Sequence, residues 1–472
     1  MGRVLNILQV SMFDMFGGAE RIASTLHEAY RARGHRSWIA VGRKRTCDPD
    51  VLPIPNHRAT SAWPRFWWRV HHSLQPVYDR SRAARMLCRA AHRLAEPEGV
   101  LDRWRGIEDF NYPGTWRLLD MTPQRPDIVH AHNLHRKYFD LRALPWLCRQ
   151  VPVVLTLHDA WLLTGHCAHP FDCARWESGC GRCPDLTIHP PVRRDATAYN
   201  WRRKQRIFAD SRLCVATPSR WLMQQVERSM LAPAVVEARV IPHGVDLAVF
   251  RPADRQAARA ALGLPADARI LLCVAVGMRT SAFKDYGMLR DAFGLLAARW
   301  QGSPLLLVSL GEDAPRERIG RGEVVFVPFQ RGRETVARYY QAADVYLHAA
   351  RADTFPTTVL EAVACGTPVV ATAVGGIPEQ IRSLEALSCA TTASVEPGGE
   401  ATGVLVRPGD AAAMADAAEH LLNDESLRRR LAGNAAADAR RRLDIRRAVD
   451  AYLAWYEELI GRTGCRPGRH FV

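Results

Sequence analysis

Short apolar runs of strand length recur along the chain, each followed by a turn and then by residues whose apolar positions keep helical spacing. Near the start VLNILQVS is such a run, Phe16-Gly17-Gly18-Ala19-Glu20 is a glycine turn, and ERIASTLHEAYRARGH is an amphipathic helix. The same logic returns in PDIVHAHNLH, VPVVLTLHDAWLLTGHC and LCVATPSRWLMQQV, and again in ARILLCVAVG, PLLLVSLG, VVFVPF, DVYLHAA, PVVATAVGG and GVLVRPGD. Runs that are apolar at nearly every position are buried on both faces, as in parallel sheets. Strands alternating with helices across short turns predict an α/β protein of doubly wound parallel sheets.

The stretch from Asp353 to Glu379 gathers the most chemistry. Phe355-Pro356 breaks the preceding strand, Thr357 and Thr358 suit a helix N-cap, and Val359 to Cys365 keep helical spacing until Gly366. A helix start carries free N–H groups and the positive end of the dipole, so a phosphate suits it. Glu361, about one turn inside, can accept two hydrogen bonds from a vicinal diol such as a ribose. Asp353 closes the strand DVYLHAA, and PVVATAVGG leads into a turn where glycine lets backbone approach a ligand. Arg279 and Lys284 follow the strand ARILLCVAVG, where two cations suit a diphosphate. All of these fall at the carboxyl edge of one sheet, the place where open α/β folds bind ligands.

At these residues the chain resembles the family 4 glycosyltransferases of the GT-B fold, with their Glu-x7-Glu signature, G-x-P-V-V-A strand and G-G-x-x-E turn. Asp353 stands where the family has its first Glu; Glu361 matches the second. The Arg279-x4-Lys284 pair matches the family's diphosphate-binding cations, with Asp285 in place of the usual glycine. The resemblance implies two Rossmann-like domains facing across a cleft. Residues 1–245 would form the acceptor-side domain, 246–440 the nucleotide-sugar domain, and 441–472 a helix crossing back onto the first. It also implies that the Gly17-Gly18 loop and His158, in its T-x-H-D position, face the sugar, Asp353 orients it, and Thr357, Thr358, Arg279 and Lys284 hold the diphosphate. The implied activity is a retaining transfer of a sugar from a nucleotide diphosphate, UDP ahead of GDP, to a glycan or lipid-linked glycan hydroxyl, with no cofactor required for catalysis.

Composition narrows this little. The chain has 472 residues, 47% hydrophobic, enough for more than one domain. Its formal charge of +15 favours anionic partners, namely nucleotide phosphates, acidic headgroups or nucleic acid. A nucleic-acid-binding protein would leave the glycine, Arg-Lys and acid constellation unexplained, so nucleic acid is not the expected partner. A sugar-nucleotide epimerase on the same fold would need an acid/base set that the sequence does not display. No apolar run is long enough for a membrane span and the N-terminus lacks a signal-peptide pattern, so a cytoplasmic, bacterial enzyme is expected.

Two segments stand outside the resemblance. Residues 54–116 are basic and aromatic, with Trp63, Phe66, Trp67 and Trp68 close together, and read either as an interfacial segment at the inner membrane surface or as an inserted helical lid. The loop 165–187 holds Cys167, Cys173, Cys180 and Cys183 in a Cys-x5-Cys-x6-Cys-x2-Cys pattern. Four thiolates can give zinc its tetrahedral set as a structural site; two disulfides and free thiols are the other readings.

Overall fold

The computed structural model describes residues 3–15, 17–56, 66–67, 69–70, 73–74, 81–95, 97–135, 137–384 and 400–464. The chain divides into two compact units. The first comprises Met1–Thr217, Met223–Arg239 and Ala454–Val472, and the second Pro218–Leu222 and Val240–Leu453.

In the first unit the described strands run β1 (Asn6–Phe13), β2 (Arg36–Arg43), β3 (Val51–Pro53), β4 (Ile128–Ala131), β5 (Val153–Thr156), β6 (Leu213–Thr217) and β7 (Val235–Val240). They form one sheet in the order β3-β2-β1-β4-β5-β6-β7, with β1 parallel to both β2 and β4. Ile7, Leu8 and Val10 of β1 are fully buried, as expected for a strand covered on both faces. The helix Gly18–Ala32 covers one face with Ile22, Ala23, Leu26 and Tyr30, a stripe at helical spacing.

The second unit contains β8 (Arg269–Val274), β9 (Leu305–Leu310), β10 (Glu317–Ile319), β11 (Gly322–Val327), β12 (Val345–His348), β13 (Val369–Thr372) and β14 (Gly403–Val406). Their order is β10-β11-β9-β8-β12-β13-β14, parallel in the recorded pairs except for the β10–β11 hairpin. The two doubly wound α/β units expected from the periodicity are therefore present. In each, the strand order reverses beside the first strand, between β1 and β4 and between β8 and β12, which opens a crevice above the carboxyl ends there.

Two local expectations are corrected. Thr357 and Thr358 do not cap their helix: Pro356 occupies the N-cap of Thr357–Ala364 with extended backbone, and the threonines are its first two helical residues. Proline fixes a φ compatible with helix entry, which is why the chain enters the helix one residue earlier than the threonines suggest. The turn Gly375-Gly376 approaches the chain itself. A Cβ on Gly375, whose φ is +55°, would lie 1.8 Å from the Asp353 carbonyl oxygen, and one on Gly376 would lie 2.2 Å from that of Thr354. The glycine pair thus clamps the backbone that carries Asp353. Gly375→Ala is expected to cost at least about 1–2 kcal/mol from the left-handed backbone alone, with the clash added; an unchanged urea midpoint would contradict this.

Of the aromatic insert, residues 57–65, with Trp63, and Trp68 lie outside the described residues. Phe66 and Trp67 meet edge to face at 5.2 Å, and the helices Arg82–Ala95 and Pro97–Arg105 follow. No helix among the described residues is long and apolar enough to cross a membrane.

Candidate active site

The crevice above β8 and β12 is built by stapling one loop to another. Lys284 pairs with Ala350 in an isolated antiparallel bridge, and the N–H groups of Arg351 and Ala352 donate to the Phe283 carbonyl. Asp285, in the position where the resembled family carries glycine, caps the helix Tyr286–Arg299 by accepting from the Met288 N–H, and its own N–H donates to the Ala349 carbonyl. These bonds fix the direction in which Lys284 leaves the loop.

Lys284 Nζ lies 2.5 Å from Asp353 Oδ2. His348, at the end of β12, completes the group, its Nε2 3.4 Å from Lys284 Nζ and 3.5 Å from Asp353 Oδ2. Its Nδ1 lies 3.0 Å from the Tyr346 hydroxyl, which in turn hydrogen-bonds the Thr358 side chain. Burial works against the charge on Asp353, but Lys284 beside it prevails and holds the carboxyl well below the usual range. Burial, then the nearby ammonium, depresses His348 to about 4. The group is therefore an ion pair with a neutral imidazole alongside.

Glu361 lies one turn into the helix Thr357–Ala364, 6% exposed, with the Tyr340 hydroxyl donating to it at 2.9 Å. Thr357 opens the helix at its N–H-rich end. Arg279 is exposed, with its guanidinium over the Phe326 ring at 5.7 Å, and does not join the Lys284–Asp353 pair. Glu379, the acid of the G-G-x-x-E turn, accepts from the N–H groups of Arg220 and Trp221 and so caps the helix Arg220–Glu227.

In the first unit Gly17, at φ +106°, is the N-cap of its helix, and Gly18 is the first helical residue with open space at its Cβ position. His158 Nε2 lies 3.0 Å from His132 Nδ1, whose Nε2 is 3.0 Å from Gln9 Oε1. His130 is fully buried between the hydroxyls of Thr156 and Tyr456. His135 pairs with Asp159 at 2.8 Å. The strand tips thus bring His132, His158, His135 and Asp159 to one edge, whereas His130 belongs to the core.

The loop cysteines Cys167, Cys173, Cys180 and Cys183 form no disulfide. The Gly165 N–H donates to Cys180 Sγ at 3.2 Å, and His166 Nε2 lies 3.4 Å from Cys183 Sγ. Burial lifts Cys167 to about 12 and Cys180 to about 11. Among the described residues no three His, Cys, Asp or Glu side chains stand together as a metal-holding group.

The buried imidazoles set an acid response. Burial depresses His130 to about 3, with His158 adding to it, and His243 to about 3, while His348 falls to about 4. The folded chain refuses protons that the unfolded chain takes up below the ordinary value of 6.5, so their stabilising contribution is complete above that pH and is lost as pH falls towards 4 for His348 and towards 3 for His130 and His243. Urea midpoints should drop between pH 7 and pH 5, at up to about 1.4 kcal/mol per pH unit for each histidine. His348→Gln should flatten that slope; equal midpoints at both pH values would contradict it.

Comparison with known proteins finds a family match over each unit. The description "Glycosyl transferases group 1" fits residues 254–438, and "Glycosyltransferase Family 4" fits residues 16–249. The chain is 27% identical over 379 residues to WcaC of Escherichia coli, a glycosyl transferase proposed for colanic acid biosynthesis, covering 78% of this chain and 83% of that one. It is 31% identical over 356 residues to the D-inositol 3-phosphate glycosyltransferase of Mycobacterium tuberculosis, covering 73% of this chain and 64% of that enzyme. Among solved structures, Anabaena HepE in complex with UDP-glucose superposes with a TM-score of 0.57 at 17% identity, over 96% of this chain and 100% of that one.

Proposed function

The chain belongs to the family 4, group 1 glycosyltransferases of the GT-B fold, and from that premise we propose that it transfers a sugar, with retention, from a nucleotide diphosphate to a hydroxyl of a glycan or lipid-linked glycan. The observation that supports this most is the Lys284 ammonium held 2.5 Å from Asp353 above β8 and β12, beside the N-terminus of Thr357–Ala364. The bound UDP-glucose of HepE favours UDP as the carrier.

In this reading the diphosphate meets Lys284 and the helix start at Thr357 and Thr358, with Arg279 swinging from Phe326 to join them. Glu361 accepts from the ribose diol. Asp353, His158 and the Gly17-Gly18 loop orient the sugar. As the C1–O bond to the diphosphate breaks, charge grows on the leaving oxygens, and cations already in place stabilise it. The acceptor oxygen bonds C1 on the same face, and its proton passes to the departing phosphate oxygen, so sugar and nucleoside diphosphate separate with atoms and charge balanced. No divalent cation is needed for that charge. A cytoplasmic place follows as part of the same proposal, with contact at the inner face of the membrane where the acceptor is lipid-linked.

Release of UDP from a panel of UDP-sugars, with the anomeric coupling of the glycoside read by proton NMR, tests the reaction. Donor and product with the same anomeric configuration are expected; an inverted product would overturn retention. Donor turnover with no acceptor present would favour the epimerase instead. Structural zinc on the cysteine loop is a separate proposal, supported by four thiols in one short loop and by the Gly165 N–H aimed at Cys180 Sγ; since among the described residues no three metal-holding side chains stand together there, it requires the loop to close around the ion. Elemental analysis should find one zinc per chain, lost in Cys180→Ser/Cys183→Ser; four freely titrating thiols and no zinc would overturn it.

A further inference from the structure

A cavity of about 640 Å³ lies within the first unit. Its walls come from the end of the helix Pro97–Arg105 and the segment that follows, from the tip beyond β4, and from Pro190–Arg193 after the cysteine loop. The volume falls within the range of small-molecule sites.

Its chemistry has three parts. Trp104, 47% exposed, offers a ring at the wall, with the Arg194 guanidinium stacked on it at 3.5 Å, and Phe110 and Trp161 extend the aromatic lining. Arg103, Lys137 and Arg193 bring three cations against Glu108 and Asp109. Glu108 is already neutralised, since buried Lys204 stands 2.9 Å away and the Trp161 indole donates to it at 2.6 Å. The lining is therefore cationic on balance. Third, His135 lines the cavity at 5% exposure, and its Nδ1 has no hydrogen-bond partner while Nε2 is held by Asp159. A buried ring nitrogen without a partner is costly unless a ligand supplies one. Lys137 is also held at φ 65°, a strained backbone for a side-chain-bearing residue, and such strain gathers at functional sites.

Aromatic faces suit the C–H faces of sugar rings, cations suit a phosphate or carboxylate, and a lone imidazole nitrogen suits a hydroxyl. We propose that this cavity binds a saccharide carrying an anionic group, with Trp104 as the stacking platform, Arg103 and Arg193 on the anion and His135 on a hydroxyl. The inference rests on the transferase reading, because such a ligand would be the acceptor or its nearest sugar.

The test uses the full chain labelled with 5-fluorotryptophan, saturated with UDP so that anions are kept from the diphosphate site, and read by fluorine NMR. Glucose 1-phosphate, glucuronate, glucose and inorganic phosphate are titrated separately, with Trp104→Phe and Trp161→Phe assigning the resonances. Glucose 1-phosphate or glucuronate should shift the Trp104 and Trp161 signals, whichever binds tighter naming the anion. Neutral glucose should bind about tenfold more weakly or worse, as should Arg103→Ala/Arg193→Ala towards the charged sugars. Silence with all four probes would overturn the proposal, and a response to inorganic phosphate equal to that of glucose 1-phosphate would overturn its saccharide part. UDP binding, followed in the same samples by thermal shift, separates the two readings: a silent cavity with UDP bound sinks this inference alone, whereas a responsive cavity with no UDP binding sinks the nucleotide-sugar reading.

Discussion

Lys284→Ala is expected to lower kcat by about two to three orders of magnitude, the loss typical of removing one preorganised charge donor from a developing anion. The effect should fall on kcat more than on KM, because the ammonium gains most when the diphosphate takes up the charge of the broken bond. Lys284 is placed for this by the backbone bridge to Ala350 and by the capped helix behind it. Lys284→Arg should recover part of the rate, since the charge is kept while the geometry changes. A variant within a factor of a few of the parent would show that the Lys284–Asp353 pair is structural. The substitution also removes a positive neighbour from His348, so that histidine should titrate closer to its ordinary value in the variant, which NMR of the imidazole can follow.

The second large effect concerns stability. Asp344, fully buried, accepts from Arg259 at 2.8 Å, from Arg255 at 3.1 Å and from the Ile270 N–H at 2.8 Å. Arg259 and Arg428 are themselves 3% and 1% exposed. Asp344→Ala strands these guanidinium groups in the interior, and breaking a buried ionic group in this way costs about 3–5 kcal/mol. Unfolding of the purified variant by urea should show that loss as a lower midpoint at pH 7. A loss below about 1 kcal/mol would mean that water or a rearranged neighbour replaces the carboxylate.

The layered α/β architecture was legible because β8, β9 and β13 are apolar at nearly every position and glycine turns punctuate them. The Lys284–Asp353 pairing was legible in part, since both residues follow strands that the fold brings side by side. His348 was missed: a histidine ending an apolar run looks like any strand residue until β12 is seen to deliver it beside Lys284. The purpose of Gly375 was misread because sequence shows that a glycine is needed, not what it approaches. The Asp344 cluster left no trace at all, for Asp344 and Arg259 stand 85 residues apart and only the folded sheet edge joins them. Likewise the unpartnered nitrogen of His135 becomes visible only once Asp159 claims its other side.

The donor site is tested most directly by the thermal shift of the purified chain against UDP, GDP, ADP, dTDP and CMP, with and without chelator. A ligand that binds only the folded state raises the melting temperature by mass action. A shift with one nucleoside diphosphate, UDP first, is expected, surviving chelator and lost in Lys284→Ala and Glu361→Ala. No shift with any nucleotide, or an unchanged shift in both variants, would contradict the donor site placed above β8 and β12.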